Sequence, residues 1–244
     1  MPDETLERWL AALDERHLAN LTPSEVTRAL RALSSCYVER REKLAKGGPL
    51  DSAGKRAAFA LFYSPLHFIV TREIVQALNA AGTVDRVLDL GCGTGSAGAA
   101  FALAAGARVH GIDRNAWAVA EANWTYKTLD LSGRATVGTI QRTRIVGAPR
   151  SAILAAYAVN ELPDADRDAL LPRLKEAHDQ GARVLIIEPI ARRMNRWWDS
   201  WRDALAARDD EWRFRIQLPP RQRLLAKASG LDPQELTART LYVA

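Results

Sequence analysis

Residues 87–95 read Val-Leu-Asp-Leu-Gly-Cys-Gly-Thr-Gly, and few folds accept such a stretch. Apolar side chains around a single acid suit a buried strand. The three alternate glycines then let the backbone turn sharply, take positive φ and pass close to a ligand. Asp89, two residues before Gly91, discriminates among ligands. A carboxylate there repels a pyrophosphate and can bind a cation, which favours a cationic nucleoside over a dinucleotide. Gly93-Thr94-Gly95-Ser96-Ala97-Gly98 also spells the dinucleotide fingerprint G-x-G-x-x-G. That fingerprint is weak on its own, and it normally follows an apolar strand without the extra acid.

From residue 84 onward strands alternate with helices. The pattern predicts strands at 85–90, 107–112, 134–140, 151–158, 182–188, 211–217 and 236–243, and helices at 95–105, 115–128, 164–179, 195–208 and 220–229. Five apolar strands separated by helices imply a parallel, doubly wound α/β sheet. The last two strands are more polar. Ahead of the sheet, residues 3–46 read as helical, with a start signal at Thr22-Pro23-Ser24-Glu25. Lys46-Gly47-Gly48-Pro49 reads as a linker, and a second helical stretch covers roughly 52–81 with an interruption at Ser64-Pro65. The organisation expected is a helical region over 1–50, a helical cover over 51–83 and a nucleoside-binding domain over 84–244.

At 244 residues the chain is long enough for one full α/β domain and a helical appendage. No apolar run reaches the roughly 20 residues of a membrane helix, and the charged start Met-Pro-Asp-Glu-Thr-Leu-Glu-Arg shows no secretory pattern. Cys36 and Cys92 are the two cysteines, and one sits in the glycine loop. A structural disulfide is not expected, and a reducing cytoplasm is. Two cysteines and four histidines give no metal-ligand spacing. The net charge is +5, with basic residues at Arg192, Arg193, Arg196, Arg213, Arg215, Arg221 and Arg223. It fits an arginine-rich composition or an anionic partner such as RNA.

In an open α/β sheet, ligands sit outside the C-terminal ends of the strands. Asp113 ends the second strand, 20 residues after Gly93. It can accept from both hydroxyls of a ribose, or it can cap the helix that starts near Asn115. Val87–Gly95 resembles the first motif of class I S-adenosylmethionine-dependent methyltransferases. Ala155–Asp164 and Ala182–Pro189 resemble the family's segments at strands four and five. The resemblance implies a seven-stranded, Rossmann-like sheet whose antiparallel last strand lies between strands five and six. It implies S-adenosylmethionine as cofactor, with Asp89 toward the methionine amino end and Gly91, Cys92, Gly93 and Gly95 beneath the methionyl and ribose parts. Asp113 would hold the ribose, Arg114 or Asn115 would lie near the adenine edge, and Tyr157 would complete the shell. After strand three many relatives place an acid or amide for the adenine amine. Here Thr139, Ile140 or Gln141 must serve, through backbone groups.

The acceptor half is less constrained. Methyl transfer is an in-line displacement in which the sulfonium carries the activation and the protein positions the nucleophile. An O or N acceptor is expected, on a small molecule or an RNA. Asn160-Glu161-Leu162-Pro163 is not the Asn-Pro-Pro-aromatic tetrapeptide that holds a planar exocyclic amine, and no cysteine is placed for C5 chemistry. Glu161 is the candidate base or orienter, or else it caps the next helix with Asn160. Asn160 and Glu188 are candidate substrate contacts, with Glu188 alternatively anchoring the loop at Pro189. Tyr63 and His67 either line the site as catalytic candidates or pack on the sheet, and His110 reads as core. Trp197 and Trp201 share a helix face beside Trp198. They pack in the core, form a lid over an apolar substrate or stack on bases. Asn160-Glu161-Leu162 with Ile187-Glu188-Pro189 is also similar to the mitochondrial small-ribosomal-subunit-associated methyltransferase-like family, whose cysteine cluster this chain lacks. A cofactor-binding assembly protein without turnover is the remaining alternative.

Overall fold

A computed structural model describes residues 4–39, 50–190, 195–230 and 235–244, with side chains described for all of these except 35–39. The Lys46–Pro49 linker, Arg192, Arg193 and the Leu231-Asp232-Pro233 segment lie outside the described residues, as does the side chain of Cys36.

The chain forms two compact units, Met1–His67 with Arg215–Leu236, and Phe68–Phe214 with Thr237–Ala244. The division differs from the segments 1–50, 51–83 and 84–244, because the helix near residue 225 groups with the N-terminal helices. In the first unit, α1 (Glu4–His17), α2 (Pro23–Glu39) and α3 (Ala53–Ala58) precede a π-helical turn at Phe59–Tyr63, and α4 starts at Ser64 and runs to Ala77. The start signal of α2 is a reciprocal cap. Thr22 N donates to Glu25 Oε2 at 2.8 Å and Glu25 N donates to Thr22 Oγ1 at 3.3 Å. Trp9, Leu13, Leu30, Leu33 and Leu61 are buried in this unit. The helix Pro220–Ser229 joins them: Gln222 Nε2 donates to Leu61 O at 3.1 Å, and Arg221 pairs with Asp14.

The second unit carries the sheet. Its strands are β1 (Arg86–Leu90), β2 (Arg108–Asp113), β3 (Gly133–Val137), β4 (Ser151–Ala156), β5 (Arg183–Glu188), β6 (Arg208–Phe214) and β7 (Leu236–Val243). Four helices connect them: α5 (Ser96–Ala105), α6 (Ala116–Thr128), α7 (Asp164–Asp179) and α8 (Trp198–Leu205). Pro220–Ser229 is α9. The order across the sheet is β3-β2-β1-β4-β5-β7-β6. The first five pair in parallel, and β7 pairs antiparallel with β5, Ile186 opposite Leu241. The seven-stranded α/β sheet with an antiparallel final strand is the expected one. Strands buried on both faces explain the apolar runs: Ile153, Leu154, Val184 and Ile186 are all at most 1% exposed. Chain order reverses between β1 and β4, which opens a crevice at their C-terminal ends. No helix of the described residues is long and apolar enough to cross a membrane.

Candidate active site at the C-terminal edge of the sheet

The glycine loop joins β1 to α5 at this crevice. Gly91 N and Cys92 N both donate to Ile112 O, at 2.8 and 3.0 Å, and tie the loop to the end of β2. Gly91, Gly93 and Gly95 take φ of +73°, +51° and +78°. Their surroundings differ. A Cβ on Gly91 would meet Ala158 Cβ at 2.7 Å, and one on Gly95 would meet Tyr126 and Ala122 of α6 at under 3 Å. One on Gly93 would meet no atom within 4 Å. Gly93 is thus where the loop's backbone faces open space.

Asp89 is buried at the end of β1, and its Oδ2 accepts from Gly98 N in the first turn of α5 at 3.1 Å. Burial pushes its carboxyl up to about 7, against the pull of the Gly98 hydrogen bond and with a further push from Asp113. A Cβ on Gly98 would meet Asp89 Oδ2 at 2.5 Å. The third glycine of the apparent dinucleotide fingerprint is therefore required by the acid. In its ionised form a carboxylate at the α5 N-terminus disfavours a pyrophosphate and favours a cation.

Asp113 bridges two loops. Oδ2 accepts from Gly93 N at 2.9 Å and Oδ1 from Asn115 N at 2.8 Å. The cap of α6 is Asn115, whose Oδ1 accepts from Trp117 N and Ala118 N at 3.0 and 3.2 Å. Asp113 is half-buried and is not the cap, and its carboxylate has lone pairs beyond these two hydrogen bonds. Beneath the loop, Cys92 and Tyr126 are buried and both crowd Gly111. Burial pushes the thiol and the phenol well above their ordinary values, which disfavours the thiolate and the phenolate.

On the other side of the crevice, Tyr157 follows β4 with φ of +58°, held by its N–H to Ile187 O at 2.7 Å. A non-glycine residue in this region costs on the order of 1–3 kcal/mol, and such strain clusters at functional sites. Burial first, then Glu188, push its phenol up. Val159–Glu161 form a short 3-10 turn. Asn160 N and Nδ2 donate to Glu188 Oε1 and Oε2 at 3.0 and 2.9 Å, and Nδ2 also donates to Asn195 Oδ1 at 2.7 Å. Trp197 Nε1 donates to Asn160 Oδ1 at 2.9 Å. Glu188 is buried, and burial outweighs its hydrogen bonds and pushes it up to about 8.

The comparisons with known proteins follow the same line. Residues 87–181 match a family described as a methyltransferase domain. Over that stretch, 95 of the 244 residues, the chain is similar to a methyltransferase domain. No curated protein matches it. A structure solved in work on the conversion of a disulfide bond into a thioacetal group during echinomycin biosynthesis is 18% identical, covers 69% of this chain and 79% of its own, and superposes with a TM-score of 0.52. A TehB-like S-adenosylmethionine-dependent methyltransferase from Corynebacterium glutamicum is 16% identical over 85% of this chain and 96% of its own, TM-score 0.46. A Pyrococcus abyssi tRNA (uracil-54, C5)-methyltransferase, in complex with S-adenosyl-L-homocysteine, is 16% identical over 71% of this chain and 37% of its own, TM-score 0.46. At these identities the likeness is one of fold alone.

The sheet brings most of the residues singled out in the sequence to one edge. Asp89, Gly91, Cys92, Gly93, Gly95, Asp113 and exposed Arg114 lie at or just after the C-terminal ends of β1 and β2, with Tyr157 just after β4. Thr139 and Ile140 follow β3, which ends at Val137, short of the expected 140. A turn replaces the last residues: Thr143 N and Oγ1 both donate to Thr139 O. Ile140 is buried, with its carbonyl accepting from Arg173 Nη1 at 3.1 Å. That carbonyl is thus already engaged.

On the acceptor side, four sets of candidates make the structural contacts that were the alternative to a substrate role. Asn160 is not a free substrate contact, because both of its amide protons and its oxygen are engaged within the protein. Glu188 is buried behind it and anchors the turn. Trp197 and Trp201 are 8% and 1% exposed and pack against each other at 4.8 Å, so they are core rather than lid. Tyr63 and His67 belong to the helical unit, 6.4 Å apart between ring centroids. Burial pushes the Tyr63 phenol up and the His67 imidazole down to about 4, which disfavours a base role for either. His110 is also not core: it is exposed, with Nε2 3.2 Å from Thr136 Oγ1. Sequence reasoning missed Tyr126, Gly111 and Asn195, whose parts depend on neighbours distant in the chain.

Proposed function

We propose that this protein is an S-adenosylmethionine-dependent methyltransferase that transfers a methyl group in line to an O or N acceptor on a small molecule or an RNA. The carrying observation is the pairing of a buried Asp89, seated on Gly98 N, with open backbone at Gly93 tied to Asp113. A buried carboxylate without a cationic partner in its hydrogen-bond shell suits an ammonium group. Asp113 suits a ribose diol. The bare Gly93 backbone lets a ligand lie against the chain. The bound cofactor would supply an activated methyl on a cationic sulfur, and the protein supplies position and a dry wall.

In this reading Asp89 holds the amino end, Asp113 holds the sugar and Arg114 flanks the base. Glu161, exposed on the turn after β4, takes the role of base or orienter for the acceptor. Titration calorimetry with S-adenosylmethionine tests the donor site. Micromolar binding with none for NAD supports the reading, and the opposite order refutes it. An rRNA acceptor, which the resemblance to the mitochondrial small-ribosomal-subunit-associated methyltransferase-like family would imply, predicts retention on rRNA that falls steeply with salt. Salt-insensitive or absent retention leaves the small molecule. The free buried thiol of Cys92 suits a reducing compartment, the cytoplasm.

A second reading rests on the engaged Asn160 and the unfavourable pKa shifts of Tyr63 and His67. The protein would bind the cofactor and assemble with a partner without turnover. Production of S-adenosylhomocysteine in the presence of candidate acceptors rules that out.

A further inference from the structure

The hydrogen bonds around Asn160 have a direction that is fixed at both ends. Trp197 Nε1 can only donate, so Asn160 must turn its oxygen toward it. The Pro189 carbonyl can only accept, so Asn195 turns its Nδ2 toward Pro189 O, at 3.1 Å, and its oxygen toward Asn160. Both constraints point the Asn160 amide protons the same way, one to Asn195 Oδ1 and one to Glu188 Oε2. Glu188 also accepts from the backbone of Asn160 and of Val159. The turn that carries Glu161 is thus gripped from the end of β5. It is held from the other side by Arg167, whose Nη2 donates to Leu162 O at 2.8 Å while its guanidinium lies 5.8 Å from the centroid of the Trp197 ring.

We infer that Glu188 is a positioning residue: through Asn160, and with Trp197 fixing the direction of that amide, it holds the 157–163 turn preset on the acceptor side of the crevice. The inference rests on the methyltransferase reading for what the turn faces, but the relay itself is independent of it. Polar groups that can satisfy one another in one orientation alone select one backbone arrangement. A turn set in advance spares an acceptor the entropy of ordering it.

The test is amide hydrogen exchange at Asn160, Glu161 and Leu162, all three of which donate hydrogen bonds within this turn or to Glu188. Glu188→Met keeps the shape and removes the acceptors. Glu188→Gln keeps one acceptor oxygen. Exchange at these amides is expected to quicken at least tenfold in Glu188→Met and to recover by a factor of three or more in Glu188→Gln. Packing alone would leave Met as good as Gln, so equal behaviour of the two, or exchange in Glu188→Met within threefold of the parent, overturns the proposal. Trp197→Phe provides a second route should Glu188→Met not fold. It is expected to quicken exchange at the same amides, and unchanged exchange there overturns the relay. When both variants fold, the pair combined should be no faster than the faster single variant, whereas effects that multiply overturn the relay. Calorimetry with S-adenosylhomocysteine separates the two readings. A parent protein that does not bind it refutes the methyltransferase reading, while the exchange data still decide the relay.

Discussion

At the scale of single residues, the three loop glycines share positive φ but not a common reason for it. Gly93→Ala introduces a left-handed alanine worth about 1–2 kcal/mol and no clash. It should fold, and it should lose at least tenfold in affinity for S-adenosylhomocysteine by calorimetry. Gly91→Ala drives a methyl into Ala158 at 2.7 Å and should cost a further 1–3 kcal/mol or so in urea unfolding. Asp113→Ala removes a charge-assisted acceptor worth about 1.5–3 kcal/mol, so affinity should fall roughly 10- to 100-fold. Asp89 links the site to pH. Its pKa is raised on folding from 3.8 to about 7, and that of Glu188 from 4.5 to about 8. The folded protein therefore holds protons that the unfolded chain releases. The stability these groups contribute is full below about pH 4 and is lost as pH rises through 7 to 8. Donor-free protein should resist urea better at pH 5 than at pH 8, and Asp89→Asn should flatten part of that slope. A cationic donor favours the ionised Asp89, so its affinity should rise between pH 6 and 8. The buried acid at Asp89 and the positive φ at Gly93 were legible because a strand end that turns through alternate glycines restricts residue type directly. Glu188 was not, because an acid at a strand end looks the same whether it faces substrate or grips a turn.

At the scale of elements, periodicity located the strands and helices because burial on one or both faces imposes it. It failed where polar contacts decide an end. The expected strand to 140 stops at Val137 because Thr139–Thr143 closes a turn. The helix expected from 195 starts at Trp198, since the Asn195 side chain is committed to the Pro189 carbonyl and to Asn160. The tryptophans were ambiguous for a geometric reason: spacing at i, i+4 defines a face without saying what covers it. The polar pair β6 and β7 is joined by charge. Arg239 makes two hydrogen bonds to Asp209, at 3.0 and 2.7 Å, and lies 4.6 Å from the centroid of the Trp198 ring. Trp212 Nε1 adds a donor to Thr240 Oγ1 at 2.9 Å. Arg239→Ala removes both hydrogen bonds from Asp209, which keeps Arg202 at 4.0 Å, and should cost about 1–3 kcal/mol in chemical denaturation.

At the scale of the whole molecule, the seven-stranded order and the antiparallel last strand were legible from the alternation of elements and the family resemblance. The grouping of α9 with the N-terminal helices was not, since Gln222–Leu61 and Arg221–Asp14 join residues more than 150 positions apart. Binding is expected to act on the entire unfolding equilibrium. At 100 times its dissociation constant, S-adenosylhomocysteine should add about 2.7 kcal/mol. By scanning fluorimetry that should raise the midpoint by roughly 5–10 °C for a chain of this size, with no rise from NAD at equal concentration. The contact between Gly98 and Asp89 reaches beyond this chain. A third glycine that exists to clear an upstream carboxylate should be inherited together with it. Across related sequences the two positions should change as a pair, with alanine or serine entering at 98 only where 89 is no longer acidic. A glycine count alone would then sort such proteins among nicotinamide enzymes, while the joint history of the two sites would sort them correctly.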